Sequence, residues 1–426
     1  MSWSVAFRAR QYLKGSLWFV PLIGALLGVV LGSAAIRLED FIHLPSELRY
    51  SADTSTTVLS AIVGSMVGLL GFVVTISVLV VQSATNTLSP RFMRIWYRDR
   101  LQKVVLAVFI GTLTFSYSLL RQLGTGSVPN LGVTLAGIAV AVSLVLLTVY
   151  LDRFTHILRP VACGALVAET ARGVFEAGSR ALHEPSASDL AAVSAPAPTV
   201  IHSTRAGAIQ AIDARGMLRL ARSHDCAFHL CHAVGDFVPS GAQLVEIHGG
   251  RPPKPERVAA LFVLGRERTI DQDPAFGLRI MVDIAIKALS PAVNDPTTAL
   301  QLLDYIEDLL ALIGSRELHG REVLRDDDGT ARVVLPTRTW DDMLELGVTE
   351  IRRYGTRSMQ VCRRLRALLE TLRSSVRERN RPAVEAELHR LDRAVAAAFA
   401  DEDERAYAMR ADRQGIGGPA EIGEPA

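Results

Sequence analysis

Four long runs without a charged residue limit what this chain can become. Residues 17–36 carry no charge over 20 positions, residues 57–90 carry none, and residues 104–120 and 122–151 repeat the pattern. A hydrocarbon core about 30 Å thick is crossed by about 20 apolar residues in a helix. In lipid, only a helix or a closed barrel satisfies its own backbone polar groups. The runs therefore predict four transmembrane helices at about 17–36, 57–81, 104–123 and 130–151, the first of them an uncleaved span rather than a signal peptide. A mean hydropathy of +0.24 over 426 residues agrees with this.

The flanking charges give a direction. Arg8, Arg10, Lys14, Arg91, Arg94, Arg98, Arg100, Lys103, Arg153 and Arg159 fall on one side of the predicted membrane; Arg37, Arg49 and Arg121 fall on the other. Basic residues concentrate on the cytoplasmic side. Both termini and everything after residue 159 are thus expected in the cytoplasm of a bacterial inner (plasma) membrane. A net charge of +2 speaks against a nucleic-acid partner, and four cysteines in so long a chain exclude a disulfide scaffold.

Within the spans, Gly24, Gly28 and Gly32 repeat at intervals of four, which allows close approach of two helix backbones. The second span carries a stripe at helical period: Ser60, Gly64, Gly68, Gly71, Thr75, Val78, Gln82 and Asn86. Two readings are open for it, a helix-packing seam and a pore or substrate lining. Ser89-Pro90 then opens an expected interfacial helix near 90–100, with Phe92, Trp96 and Tyr97 set among arginines.

The remaining chain divides by composition. Residues 1–159 form the membrane domain, 160–199 a helix with a Pro/Ala linker, and 200–265 a small β-rich module. Residues 266–411 form a helical cytoplasmic domain, and 412–426 a disordered tail. The predicted fold class is an α-helical membrane domain followed by a cytoplasmic α+β region, with a small β-sandwich-like module and C-terminal helices. In the module, Val234 to Leu244 (VGDFVPSGAQL) resembles the turn of small biotinyl/lipoyl-like β-sandwich folds. Gly235 and Gly241 would sit at turn positions, with Val238 and Leu244 in the core. No lysine stands where such carriers place their modified residue.

Three groups carry polar chemistry. Cys226, His229, Cys231 and His232 crowd together, but strand alternation turns Cys226 away from His229 and Cys231, so assorted strand side chains are the favoured reading over zinc. Asp273-Pro274 and Asp295-Pro296 each read as an N-cap and first helical position. With Asp271, Asn294, Thr297 and Thr298 they form either two caps or a ligand site where two helix N-termini meet. Asp283 and Lys287 are spaced for an ion pair. Arg353, Arg357 and Arg364 share one predicted helix face, either solvated or lying near anionic lipid headgroups.

The run QSATNTLSPR leaving the second span, together with DQDPAFGLR and ALSPAVNDPTTA, resembles the bacterial membrane-protein family known as domain of unknown function 2254. The resemblance extends from about residue 10 to 400. It implies a multi-span bacterial membrane protein and brings no activity, substrate or catalytic residue. No nucleotide-binding, metalloprotease or hydrolase motif is present, so neither an enzyme nor a cofactor is expected. The expected partners are the lipid bilayer and further copies of the chain. The functional expectation is an oligomeric pore or transport-type protein with a cytoplasmic gating or assembly domain; the alternative is a membrane-anchored sensor or scaffold.

Overall fold

The computed structural model describes residues 3–39, 41, 49–87, 99–123, 128–157, 159–178, 186 and 198–417. They divide into two compact units: Arg10–Arg159, and Met1–Ala9 with Pro160–Ala426. After α1 (Trp3–Gly15), the first unit consists of α2 (Phe19–Glu39), α3 (Ala52–Thr87), α4 (Arg100–Leu123) and α5 (Asn130–Ile157). Each of α2 to α5 is long and apolar enough to cross a membrane. Each helix is longer than the span predicted for it, because flanking polar residues continue the hydrogen-bonded ladder. The interfacial helix expected near 90–100 lies mostly outside the described residues, and Arg100 already begins α4.

α4 is the hub of this unit, packing against α2, α3 and α5. Its Val105, Phe109, Phe115 and Leu119 meet Leu59, Ile62, Met66 and Val73 of α3 and Val133 and Ala136 of α5. The α2–α4 contact is the tightest. A Cβ on Gly24 would collide with the Ala107 carbonyl, one on Gly28 with Thr114 and the Gly111 carbonyl, and one on Gly32 with the Ser118 hydroxyl. The glycine repeat is therefore a seam on which α4 lies backbone to backbone, and the Thr114 hydroxyl donates across it to the Ala25 carbonyl at 3.0 Å. Two polar contacts tie one set of helix ends together. The Glu39 carboxylate accepts from the Leu131 N–H at 2.8 Å, at the start of α5, and the Asn130 side chain accepts from the Tyr50 N–H at 2.7 Å. Near the other ends, Gln102 donates to the Ser77 hydroxyl, which bonds that of Tyr150.

The second unit begins with α6 (Pro160–Gly178). β1 (Thr199–His202), β2 (Gly207–Ile212), α7 (Ala214–His224), β3 (Ala227–Leu230), β4 (Phe237–Val238) and β5 (Gln243–His248) follow. Next come α8 (Pro255–Ala259), β6 (Phe262–Gly265), α9 (Pro274–Ala288), α10 (Pro296–Gly314), β7 (Arg321–Arg325) and β8 (Ala331–Pro336). The chain continues with α11 (Trp340–Gly355), α12 (Met359–Ser375), α13 (Arg381–Ala398) and α14 (Glu402–Ala408). The strands form a five-stranded sheet, β1-β5-β3-β8-β7, and a three-stranded sheet, β4-β2-β6. Phe228, Leu230, Val245, Ile247 and Val333 of the larger sheet share one core with Ile209, Val238 and Phe262 of the smaller and with Met217 and Leu220 of α7.

The β-sandwich-like expectation is corrected here. No closed sandwich forms among the described residues, because the larger sheet recruits β7 and β8 from the stretch read as helical, β8 lying parallel to β3. The turn positions do appear: Gly235 and Gly241 have φ of +92° and +82°, and Val238 and Leu244 are buried. The helices pack around α9, nine of whose fifteen residues are buried. Gly277 admits Ala171 of α6, and Gly347 of α11 admits Leu310.

Two more expectations change. Arg364 is not on an exposed face: it is 5% exposed and clamped by Asp304 (2.8 Å) and Glu307 (2.6 Å) of α10. Residues 412–417 of the expected tail are held in place, because buried Asp412 accepts from the N–H groups of Gln414, Gly415 and Gly417. Residues 418–426 of that tail, and nearly all of the 185–199 linker, lie outside the described residues.

The α2–α4 seam yields a first prediction. Gly28→Leu, which drives a side chain into Gly111 and Thr114, should cost about 1–3 kcal/mol as overpacking, whereas Gly137→Ala on α5, where a Cβ meets nothing within 4 Å, should be nearly neutral. Thermal unfolding of the full chain in detergent micelles reads the difference.

Candidate functional site

The face of α3 singled out by its periodicity points away from the unit's core. Leu59, Ile62, Met66, Val73 and Val80 are buried, while Ser60, Gly64, Gly68, Gly71, Thr75, Val78 and Gln82 are all exposed. A Cβ on Gly64, Gly68 or Gly71 would meet nothing within 4 Å. The two glycine-bearing helices thus differ: among the described residues, the seam of α2 is filled from within the chain, and the glycine face of α3 is not. The Thr75 hydroxyl donates to the Gly71 carbonyl at 2.9 Å, one turn back on its own helix. Asn86 belongs to α3, but its side chain lies outside those described.

The two Asp-Pro starts are caps. Asp273 accepts from the Phe276 N–H at 3.3 Å, and Asp295 accepts from the Thr298 N–H at 3.1 Å and from its hydroxyl. Asn294 sits at φ +48° in the turn between helices, its N–H donating to the Ser290 carbonyl, and Thr297 is exposed. The caps do not converge. They stand at opposite ends of α9, whose fifteen residues rise about 1.5 Å each, or roughly 22 Å. Asp271, half-buried, lies beside the first cap. Asp283 pairs with Arg279 at 2.7 Å, and Arg279 also reaches Glu350 of α11.

Asp273 differs from Asp295 in its surroundings. It is 6% exposed and lies where a Cβ on Gly235 would strike its carboxylate, so the turn glycine makes room for the cap. Burial pushes its carboxyl up to about 6, against the opposing pull of Arg338, the Phe276 and Ala275 N–H groups and Arg268.

The cysteine–histidine crowd separates as strand alternation requires. Cys226 is 1% exposed in the core shared by the two sheets, and burial pushes its thiol up to about 11. His229 takes a different partner set. It pairs across the antiparallel ladder with Glu246, and its Nδ1 lies 3.1 Å from Glu246 Oε2. His248 Nε2 lies 3.7 Å from the same oxygen. The donor atoms of His229, Glu246 and His248 fall within 4.8 Å of one another. Sequence reasoning missed Glu246 and His248. The available signal was the Glu-x-His spacing on β5, which puts both on one strand face, opposite Val245 and Ile247.

Comparison with known proteins places these features in a family context. The model of the family described as "Predicted membrane protein (DUF2254)" matches residues 14–371. An uncharacterized protein of Mycobacterium bovis and one of Mycobacterium tuberculosis are each 29% identical over 423 residues, covering 94% of this chain and 80% of theirs. No solved structure matches the chain.

The caps give a pH-dependent prediction. An unfolded Asp273 carboxyl titrates near 3.8 and the folded one at about 6. The folded state therefore binds more protons between these values, and stability falls as pH rises through that window. Asp273→Asn, which keeps a capping oxygen, should raise the melting temperature at pH 7.5, by an amount that shrinks towards pH 5. At Asp295, Asn should be near neutral and Ala should cost about 0.5–2 kcal/mol. Melting curves of the variants at the two pH values check both statements.

Proposed function

Because the chain belongs to the DUF2254 family of predicted membrane proteins, we propose that it works as an oligomer in the bacterial inner membrane. In this reading copies gather through the outward face of α3, as a pore or transport-type assembly with the C-terminal unit as its gating or assembly part. The observation that carries the reading is the contrast between the two glycine faces. Lipid tails gain nothing from small residues, whereas a neighbouring helix does, because backbones can approach and pack. A row of exposed Gly64, Gly68 and Gly71 ending in Gln82 suits a partner helix or a water-lined axis better than acyl chains.

A second reading, a membrane-anchored sensor or scaffold, is favoured by the donor atoms gathered at His229, Glu246 and His248 in the C-terminal unit. Mass and conductance separate the two. The oligomer reading expects a multimeric mass in mild detergent, its loss in Gly68→Leu, and conductance or solute flux in reconstituted bilayers. A monomeric mass with no flux supports the anchored sensor.

The basic asymmetry of the flanks supports a cytoplasmic C-terminus. Reporter fusions after Ser127 and after Ala426 should report opposite sides, the second cytoplasmic; a periplasmic signal at Ala426 contradicts the orientation.

A further inference from the structure

We propose that His229, Glu246 and His248 form a binding site for a divalent transition-metal cation of the zinc class, on the face of the larger sheet turned away from the shared core. Strand alternation builds the site. On β3, Phe228 and Leu230 enter the core, leaving Ala227 and His229 on the other face; on β5, Val245 and Ile247 enter it, leaving Glu246 and His248. The antiparallel register sets His229 opposite Glu246 and Ala227 opposite His248. The small Ala227 leaves room for the imidazole beside it.

The distances suit one ion. Bonds of about 2.0–2.2 Å from nitrogen and carboxylate oxygen at tetrahedral angles place the ligand atoms roughly 3.3–3.5 Å apart. Here the Glu246 oxygen lies 3.1 Å from one imidazole nitrogen and 3.7 Å from the other, and all three donor atoms fall within 4.8 Å. Small side-chain adjustments close the remaining gap between the two imidazoles.

The donor set indicates the class of ion. Two imidazoles and one carboxylate suit zinc, cobalt, nickel or ferrous iron, and calcium and magnesium prefer all-oxygen shells. The surroundings are dry on one side and open on the other. His248 is 5% exposed, and Val334, the parallel-ladder neighbour of His229, is 1% exposed. The His229 and Glu246 side chains keep 29% and 28% of their surface accessible. Three protein ligands with one accessible side match zinc sites that keep a position for water or an incoming ligand. A carboxylate between two imidazoles without metal would serve only as a hydrogen-bond acceptor, and the experiment distinguishes that case.

The full chain, purified in detergent without a polyhistidine tag and stripped by a chelator, is titrated with Co²⁺ alone and then with Zn²⁺. The expected result is one Co²⁺ per chain with visible absorption bands of tetrahedral or five-coordinate cobalt, displaced by Zn²⁺. His229→Ala and Glu246→Gln, both at half-buried positions, should each weaken binding by more than about 100-fold, the upper end of what loss of an outer-shell partner costs. His232→Ala, outside the set, should bind as the parent does. His248→Ala carries a risk of misfolding because the ring is buried, so the two half-buried variants, checked for unchanged far-ultraviolet circular dichroism, decide the matter. Absence of bound cobalt in the parent, or binding that survives both substitutions, overturns the site.

Discussion

Close helix approach through glycine is the contact on which the membrane unit rests. Inside a bilayer the apolar effect no longer drives helices together, since tails are as apolar as leucine, and association falls to packing and a few hydrogen bonds. Gly24, Gly28 and Gly32 let α4 settle backbone to backbone on α2, with the Thr114–Ala25 bond fixing the register. With α4 so placed, its opposite faces meet α3 and α5, and Phe109, Phe115 and Leu119 fill the space between them. A side chain at Gly28 would move α4 and with it every contact α4 makes.

The second unit follows soluble-protein rules. Its two sheets and α7 share a core of aliphatic and aromatic side chains, and its helices give the buried Arg363 and Arg364 specific partners. Arg364 is held by Asp304 and Glu307, and Arg363 lies over the Tyr407 ring at 4.2 Å while its Nε donates to the Arg410 carbonyl. Burying a guanidinium without such partners would cost several kcal/mol. The contact between Gly235 and Asp273 joins the β4 turn to the start of α9, so two motifs distant in sequence meet at one point.

Much of this was legible in the residues because the signals were local. Charge-free length marked the spans, Asp-Pro marked the caps of α9 and α10, and glycine spacing marked the turns at 235 and 241. What was missed depended on partners remote in sequence. β7 and β8 are short strands flanked by strong helices, and the pairing of β8 with β3, and of β7 with β8, gives them a place in the sheet. The exposure expected of Arg364 failed because its two acids lie on α10, about 60 residues away. Cys226, His229, Cys231 and His232 are neighbours in sequence, whereas it is the ladder register that brings Glu246 and His248 to His229. The six polar residues around the two caps lay close in the chain, yet the length of α9 holds the two starts apart.

On the function proposed above, the outward small-residue face of α3 is a contact between copies of the chain. Its most direct measurement is disulfide formation between copies carrying single cysteines along α3, oxidised in native membranes. Dimer bands should be strongest for Gly64→Cys, Gly68→Cys and Gly71→Cys, and weak for Phe72→Cys and Val74→Cys, which are exposed on either flank of the stripe. Dimer bands absent at the three glycine positions, or equally strong at all five, would contradict it.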